Sequence, residues 1–283
     1  MIDSMWFRAV LVIFILLACS FTVDASSTIK VYNLDTSPVL DAIDDWKVVP
    51  YTAVNLKSII PGVKKAKTLY IKAAVHDGEI YLFVKWHDKQ AGRDHKPYVW
   101  NEQKKRYEAG PQREDRLAIQ FEMEGEYTTD WPAAKYFKAD MWHWKSYRSA
   151  ALNLAHDKYT IVSRKKLTRS IKLQGKQGQL VYVRRHSDEG DMLYKTMRYG
   201  KYSGEKLPKY IANKKIEGSV ADVKARSYWA DDKWHVEIRR RLDTGHDDDV
   251  KFVANSTVRA GISVFDNSDD DDHLISETLE FEF

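Results

Sequence analysis

Strict apolar alternation on either side of a two-residue turn constrains this chain more than any other feature. Leu69, Ile71, Ala73 and Val75 alternate with Tyr70, Lys72 and Ala74, and after His76-Asp77-Gly78 the pattern resumes at Ile80, Leu82, Val84 and Trp86. Successive side chains of a strand point to opposite faces, and Asp-Gly supplies the positive φ angles that a tight hairpin turn demands. The spacing therefore predicts a hairpin. A second one is predicted where residues 224–228 meet Ala230-Asp231-Asp232, after which Trp234, Val236 and Ile238 alternate with His235, Glu237 and Arg239. Leu117, Ile119 and Phe121 make a third strand region, residues 140–145 a fourth, and Ile262, Val264, Leu279, Phe281 and Phe283 the last. Residues 27–50 read as irregular, and residues 160–220 as a long crossing with short β pieces. No segment sustains the three-and-four spacing of a helix face, so the pattern predicts an all-β sandwich with long loops.

Arg8 precedes an apolar run from Ala9 to Ala18. It is shorter than the roughly 20 residues a membrane-spanning helix needs, and it predicts an export signal over residues 1–25 followed by a single domain over 26–283. Two endings fit. Val23-Asp24-Ala25 suits cleavage before Ser26, whereas Leu16-Leu17-Ala18-Cys19 resembles a lipoprotein box that would anchor the chain by a lipid at Cys19. Either one places the protein in the periplasm or envelope. Cys19 is the single cysteine, which excludes intrachain disulfides, thiolate zinc sites, thiol nucleophiles and covalently attached c-type haem.

The net charge of +4 is unevenly spread, with Arg164-Lys165-Lys166, Arg184-Arg185 and Lys214-Lys215 in the middle and a strongly acidic stretch after Leu242. That asymmetry suits docking to a charged partner protein, and an exported chain is not expected to bind nucleic acid. Motifs for hydrolase or phosphate chemistry are missing: there is no Gly-x-Ser-x-Gly, no His-Glu-x-x-His and no phosphate-cradling glycine loop. The expectation is a non-catalytic protein.

Asp140-Met141-Trp142-His143-Trp144-Lys145 is the densest functional stretch. As a strand it puts Trp142 and Trp144 on one face with Asp140, and Met141, His143 and Lys145 on the other. An aromatic floor of this kind suits a protein core, a sugar ring or a flat cofactor.

Four segments in this order carry a family resemblance: residues 114–121 (Glu-Asp-Arg-Leu-Ala-Ile-Gln-Phe), 140–145 with Arg148, 229–234 (Trp-Ala-Asp-Asp-Lys-Trp) with 239–243, and Val264-Phe265-Asp266-Asn267 with His273. The set resembles the ethylbenzene dehydrogenase-related haem-binding domain, which includes haem b subunits of periplasmic DMSO-reductase-type molybdenum enzymes. The resemblance implies an immunoglobulin-like β-sandwich, similar to family 9 carbohydrate-binding modules, that holds one non-covalent haem b. It also implies a role in electron transfer with a molybdenum oxidoreductase or a c-type cytochrome. In the molybdenum-enzyme subunits the iron site resembles a methionine and lysine pair, with the lysine in the loop before the last strand. That loop has no lysine here, and His273 stands in its place.

The expected axial pair is therefore His273 and Met123, the methionine closing the third strand region, with Trp142, Trp144 and His143 against the cofactor and Arg148 at a propionate. Carboxylates around His273 are expected to raise its pKa. Met141 is expected to pack in the core. A competing reading is a carbohydrate- or surface-ligand-binding module, with Trp86, Trp100 or Trp131 stacking on sugar rings. A weaker one is a structural lipoprotein held at Cys19. Asp266, Asp269, Asp270, Asp271 and Asp272 could alternatively bind calcium.

Overall fold

A computed structural model describes residues 27–38, 46–175, 177–270 and 272–283. The segment expected to be an export signal, Cys19 and Asp271 lie outside the described residues. Nineteen strands make up the regular structure: β1 (Thr28–Asn33), β2 (Thr52–Ser58), β3 (Ala66–His76), β4 (Glu79–His87), β5 (Tyr98–Asn101), β6 (Arg106–Ala109), β7 (Arg116–Gly125), β8 (Tyr136–Lys145), β9 (His156–Ser163), β10 (Ile171–Gln174), β11 (Leu180–Ser187), β12 (Tyr194–Thr196), β13 (Lys206–Leu207), β14 (Tyr210–Ala212), β15 (Lys224–Ala230), β16 (Lys233–Arg241), β17 (Thr257–Phe265), β18 (Leu274–Ser276) and β19 (Leu279–Glu282). Among the described residues there is no α-helix, only three short 3-10 turns.

Both predicted hairpins form. β3 pairs with β4 around Asp77 and Gly78, whose φ angles are 46° and 74°. In the β15–β16 hairpin two aspartates take that conformation, Asp231 at 51° and Asp232 at 55°, as a type I′ turn requires. The expectation of an irregular start is corrected by β1, which runs parallel to both β19 and β3. Its alternation is too short to stand out, and its pairing depends on strands far along the chain.

The hydrogen-bonded path runs β10-β11-β9-β8-β7-β17-β18-β2-β3-β4-β16-β15. Strand β17 is the corner of this path, because its first half pairs with β19 and its second half with β18. Strand β18 then joins β2, and β19 joins β3 through β1, so the sheet doubles back on itself. Two leaves result, β10-β11-β9-β8-β7-β17 and β2-β3-β4-β16-β15, and the protein is an all-β, immunoglobulin-like sandwich.

Tryptophans fill the space between the leaves. Trp144 of β8 lies 5.0 Å from Trp234 of β16 and 6.1 Å from Trp86 of β4, while Trp142 lies 4.8 Å from Phe121 of β7. All five rings are buried. Indoles make good filler because each removes roughly 200 Å² from water and edge-to-face contacts add to the burial.

Candidate functional site

The leaf containing β8 has two buried faces. Cross-strand register puts Arg116 opposite Lys145, Ala118 opposite His143 and Gln120 opposite Met141 on β7 and β8. It continues with His143 opposite His156 and Met141 opposite Lys158 on β9, and with Phe265 of β17 opposite Arg116. The side turned away from the tryptophan core thus collects His143, His156, Lys145, Lys158, Arg116, Met141 and Phe265. Loops cover this face, so Met141, His143 and Lys145 are 5 %, 6 % and 2 % exposed. Packing polar side chains at that depth requires partners, and here they are incomplete.

His143 is the clearest case. Neither of its ring nitrogens has a hydrogen-bond partner among the described residues. Burial pushes its pKa well below the ordinary value, and the charge of Lys145 pushes it the same way. It is a neutral imidazole with both nitrogens free. Its ring stacks at 5.7 Å from Phe265, and the ring of His273 stacks on the same Phe265 at 4.5 Å. His273 lies between β17 and β18, its carbonyl accepting from the Ile59 amide at 3.3 Å and its Nδ1 bonding the Asp270 carbonyl at 3.0 Å. That bond fixes Nδ1 as the protonated nitrogen and leaves Nε2 with a lone pair, the tautomer of a metal-ligating histidine oriented by a backbone carbonyl. The expectation of a raised pKa is corrected. Burial dominates and lowers it to about 4, and Arg116 and Arg185 offset part of the pull from Asp270.

Around the imidazoles the charge is positive. Lys145 Nζ donates to His156 Nδ1 at 2.8 Å, and His156 Nε2 donates to Ser187 Oγ at 2.8 Å. Burial, followed by repulsion from Lys158, holds the Lys145 ammonium well below its ordinary pKa. Burial, followed by repulsion from Arg185, holds Lys158 at about 8. Arg116 sits 4.0 Å over the Phe265 ring and bonds Asp270 at 2.7 Å. A face with this excess of buried cations favours an anionic ligand.

Several expected site residues lie elsewhere. Trp142 and Trp144 belong to the inter-leaf core, with Trp142 Nε1 donating to Asp140 at 3.2 Å; they are not a pocket wall, because alternation turns them away from His143. Arg148 is bonded through Nε to Glu114, a fully buried carboxylate that also accepts the Arg148 amide at 2.9 Å, so its guanidinium is already paired. Met123 occupies a β-bulge on β7 and packs against the inter-leaf core. Phe265 pairs with Arg116, and Met123 is seven residues further along β7, roughly 23 Å at the strand rise. Two ligands of one metal ion lie within about 5 Å of each other. The structure therefore does not bring Met123 and His273 together. Met141 packs with Phe265 and Ala118 on the outer face, not in the inter-leaf core.

The competing constellations also disperse. Trp86 is a core residue, Trp100 sits on the small β13-β5-β6 sheet among Tyr107 and Tyr202, and Trp131 lies on a 3-10 turn beside Arg185, so no common platform forms. In the acidic loop, Asp269 pairs with Arg113 and Lys96, Asp270 with Arg116 and Arg185, and Asp266 with Lys67. Three of its described aspartates are thus paired with side-chain cations, and Asp266 also groups with Asp88 and Asp115.

Sequence reading missed His156, Lys158 and Arg116 as parts of this face. Their signal was strand phase: each shares the alternation that places His143 outward, but the pairing of β9 with β8 had to be known first.

The fold and this face define a class: an all-β sandwich with a loop-covered, cation-rich polar site on the outer side of one leaf. The chain belongs to the ethylbenzene dehydrogenase family, which matches residues 41–274. Among solved structures it is similar to a family 9 carbohydrate-binding module from Caldicellulosiruptor kristjanssonii in complex with glucose, at 12% identity over 90% of this chain and 94% of that one, with a TM-score of 0.39. The structure of such a module from that organism with cellotriose gives 12% identity, 90% and 92% coverage and a TM-score of 0.38. A search of curated proteins returned no match.

Proposed function

We propose that this chain is an exported, non-catalytic protein that binds one haem b and passes single electrons between periplasmic partners. The observation that carries this reading is the pair of neutral imidazoles against Phe265, His143 with both nitrogens unpartnered and His273 with Nε2 free. An orphaned buried imidazole costs free energy unless something binds it, and haem iron is a ligand-seeking group of the right kind. Haem, when bound, supplies reversible one-electron exchange.

The chain's own residues then have distinct tasks. His273 would hold the group through Nε2, kept in orientation by its bond to the Asp270 carbonyl, and His143, which shares Phe265 with it, would face the same group. Lys158 supplies positive charge for the propionates, and the covering loop between β17 and β18 excludes water. Burial and the hydrogen bond at His273 are the levers that tune the potential. The basic segment between β9 and β15 and the acidic end guide docking to a redox partner, either a molybdenum oxidoreductase or a c-type cytochrome. Membrane attachment would come only from a lipid at Cys19.

Haemin titration of the purified mature protein tests the reading. A Soret band should develop to one haem per chain, with a b-type pyridine haemochrome after reduction. His273→Ala and His143→Ala should each change the ferrous spectrum and lower haem affinity at least about tenfold. A protein that takes up no haemin overturns the reading; haem uptake with unchanged spectra in both variants overturns the ligand assignment.

A further inference from the structure

A second polar centre lies on the inner side of the same leaf, and the haem reading makes no use of it. Asp140 of β8 and Asp157 of β9 are fully buried, and Asp249 is 7 % exposed. One oxygen from each lies within 4.8 Å of the others. Asp188, 5 % exposed and just past β11, brings its carboxyl against that of Asp157. A single guanidinium serves the group: Arg240 Nη1 bonds Asp140 Oδ2 at 2.5 Å and Asp249 Oδ1 at 2.9 Å.

Asp140 Oδ2 also accepts from the Val250 amide at 3.0 Å and from Trp142 Nε1, Asp249 Oδ2 accepts from Thr244 Oγ1, and Asp157 Oδ1 accepts from the Lys158 amide at 3.2 Å. Asp140 Oδ1, Asp157 Oδ2 and both oxygens of Asp188 have no partner among the described residues. Four buried carboxylates face Arg240 and, 3.8 Å from Asp249 Oδ2, the half-exposed His246, which leaves more negative charge than burial alone would tolerate.

We propose that these aspartates hold a divalent cation of the calcium type, bound by Asp140, Asp157, Asp188 and Asp249. Calcium takes oxygen ligands at about 2.3–2.6 Å, so oxygens up to roughly 5 Å apart can share one ion. The donor set is all oxygen, which disfavours zinc, and four carboxylates exceed the one or two that magnesium usually takes. The ion ties β8, β9, the end of β11 and the segment after β16, and its role is structural. Nothing in this site depends on the histidine face, so either proposal can fail without the other.

The test uses the full mature chain, stripped with EGTA and loaded with calcium or terbium. Trp142 touches Asp140 and should sensitise terbium emission that excess calcium displaces. Calcium at one hundred times its dissociation constant should raise the melting temperature by roughly 5 °C. Asp157→Asn and Asp188→Asn should lose both effects, and Trp142→Phe should lose the emission while keeping the melting shift. No melting shift and no terbium binding in the native chain would mean that protons alone neutralise the cluster, and the proposal falls. It falls too if emission survives Trp142→Phe but is lost in Asp88→Asn, because Asp88 groups with Asp115 and Asp266 next to Trp234.

Discussion

The two faces of β8 differ more than any two distant parts of the molecule. Inward, Trp142 and Trp144 are packed by aromatic rings from both leaves. Outward, His143 and Lys145 are as deeply buried, but neither nitrogen of His143 has a partner among the described residues and burial holds the Lys145 ammonium well below its ordinary pKa. Equal burial has opposite meanings on the two sides. The aromatic part of the inner face is packed for stability, whereas the outer face leaves both nitrogens of His143 without a partner among the described residues.

Truncating the inner face should be the most damaging change: Trp144→Ala is expected to lose about 3–5 kcal/mol, read as a lower midpoint in urea unfolding. On the outer face the sign should reverse. His143→Phe removes two orphaned nitrogens and should stabilise the haem-free protein by about 1–2 kcal/mol while abolishing haem uptake. A destabilised variant would mean that His143 is ordinary packing, and the contrast would break.

The same residue sets a pH dependence. Its pKa is lowered on folding, so the unfolded chain binds more protons than the fold does below pH ~6.5, and stability falls as pH drops. At pH ~5.5 the loss from one such histidine is about 1 kcal/mol, and comparing denaturation at the two pH values with that of His143→Phe should isolate it. Lys158→Met should stabilise the haem-free form by about 1 kcal/mol, since it relieves repulsion from Arg185, and should weaken haem binding in a titration. Lys57→Ala, which breaks an exposed pair with Glu277 at 2.8 Å, should change the midpoint by less than about 0.5 kcal/mol.

Alternation and turn chemistry in the chain were enough to predict both hairpins, the strand nature of residues 140–145 and the opposite facing of Trp144 and His143. These are local consequences of a period-two backbone and of the Asp77-Gly78 turn, and they need no distant partner. The placement of Asp140 on the tryptophan face was legible for the same reason. Which of the two faces would hold the unpartnered imidazole and its cations was not, because both are buried.

That choice rests on pairing between segments far apart in sequence. His273 and His143 share Phe265 only because β17 lies against β7 and β7 against β8, and Met123 is carried away from them by its distance along β7. Arg240 reaches Asp140 across 100 positions of chain, which no spacing rule could anticipate. The sequence by itself determined the strands, the turns and the side of each strand on which a residue stands. Only the tertiary structure decided which sides are covered, which charges are paired and which imidazoles are left free, because burial and partner supply depend on neighbours that the fold brings from elsewhere.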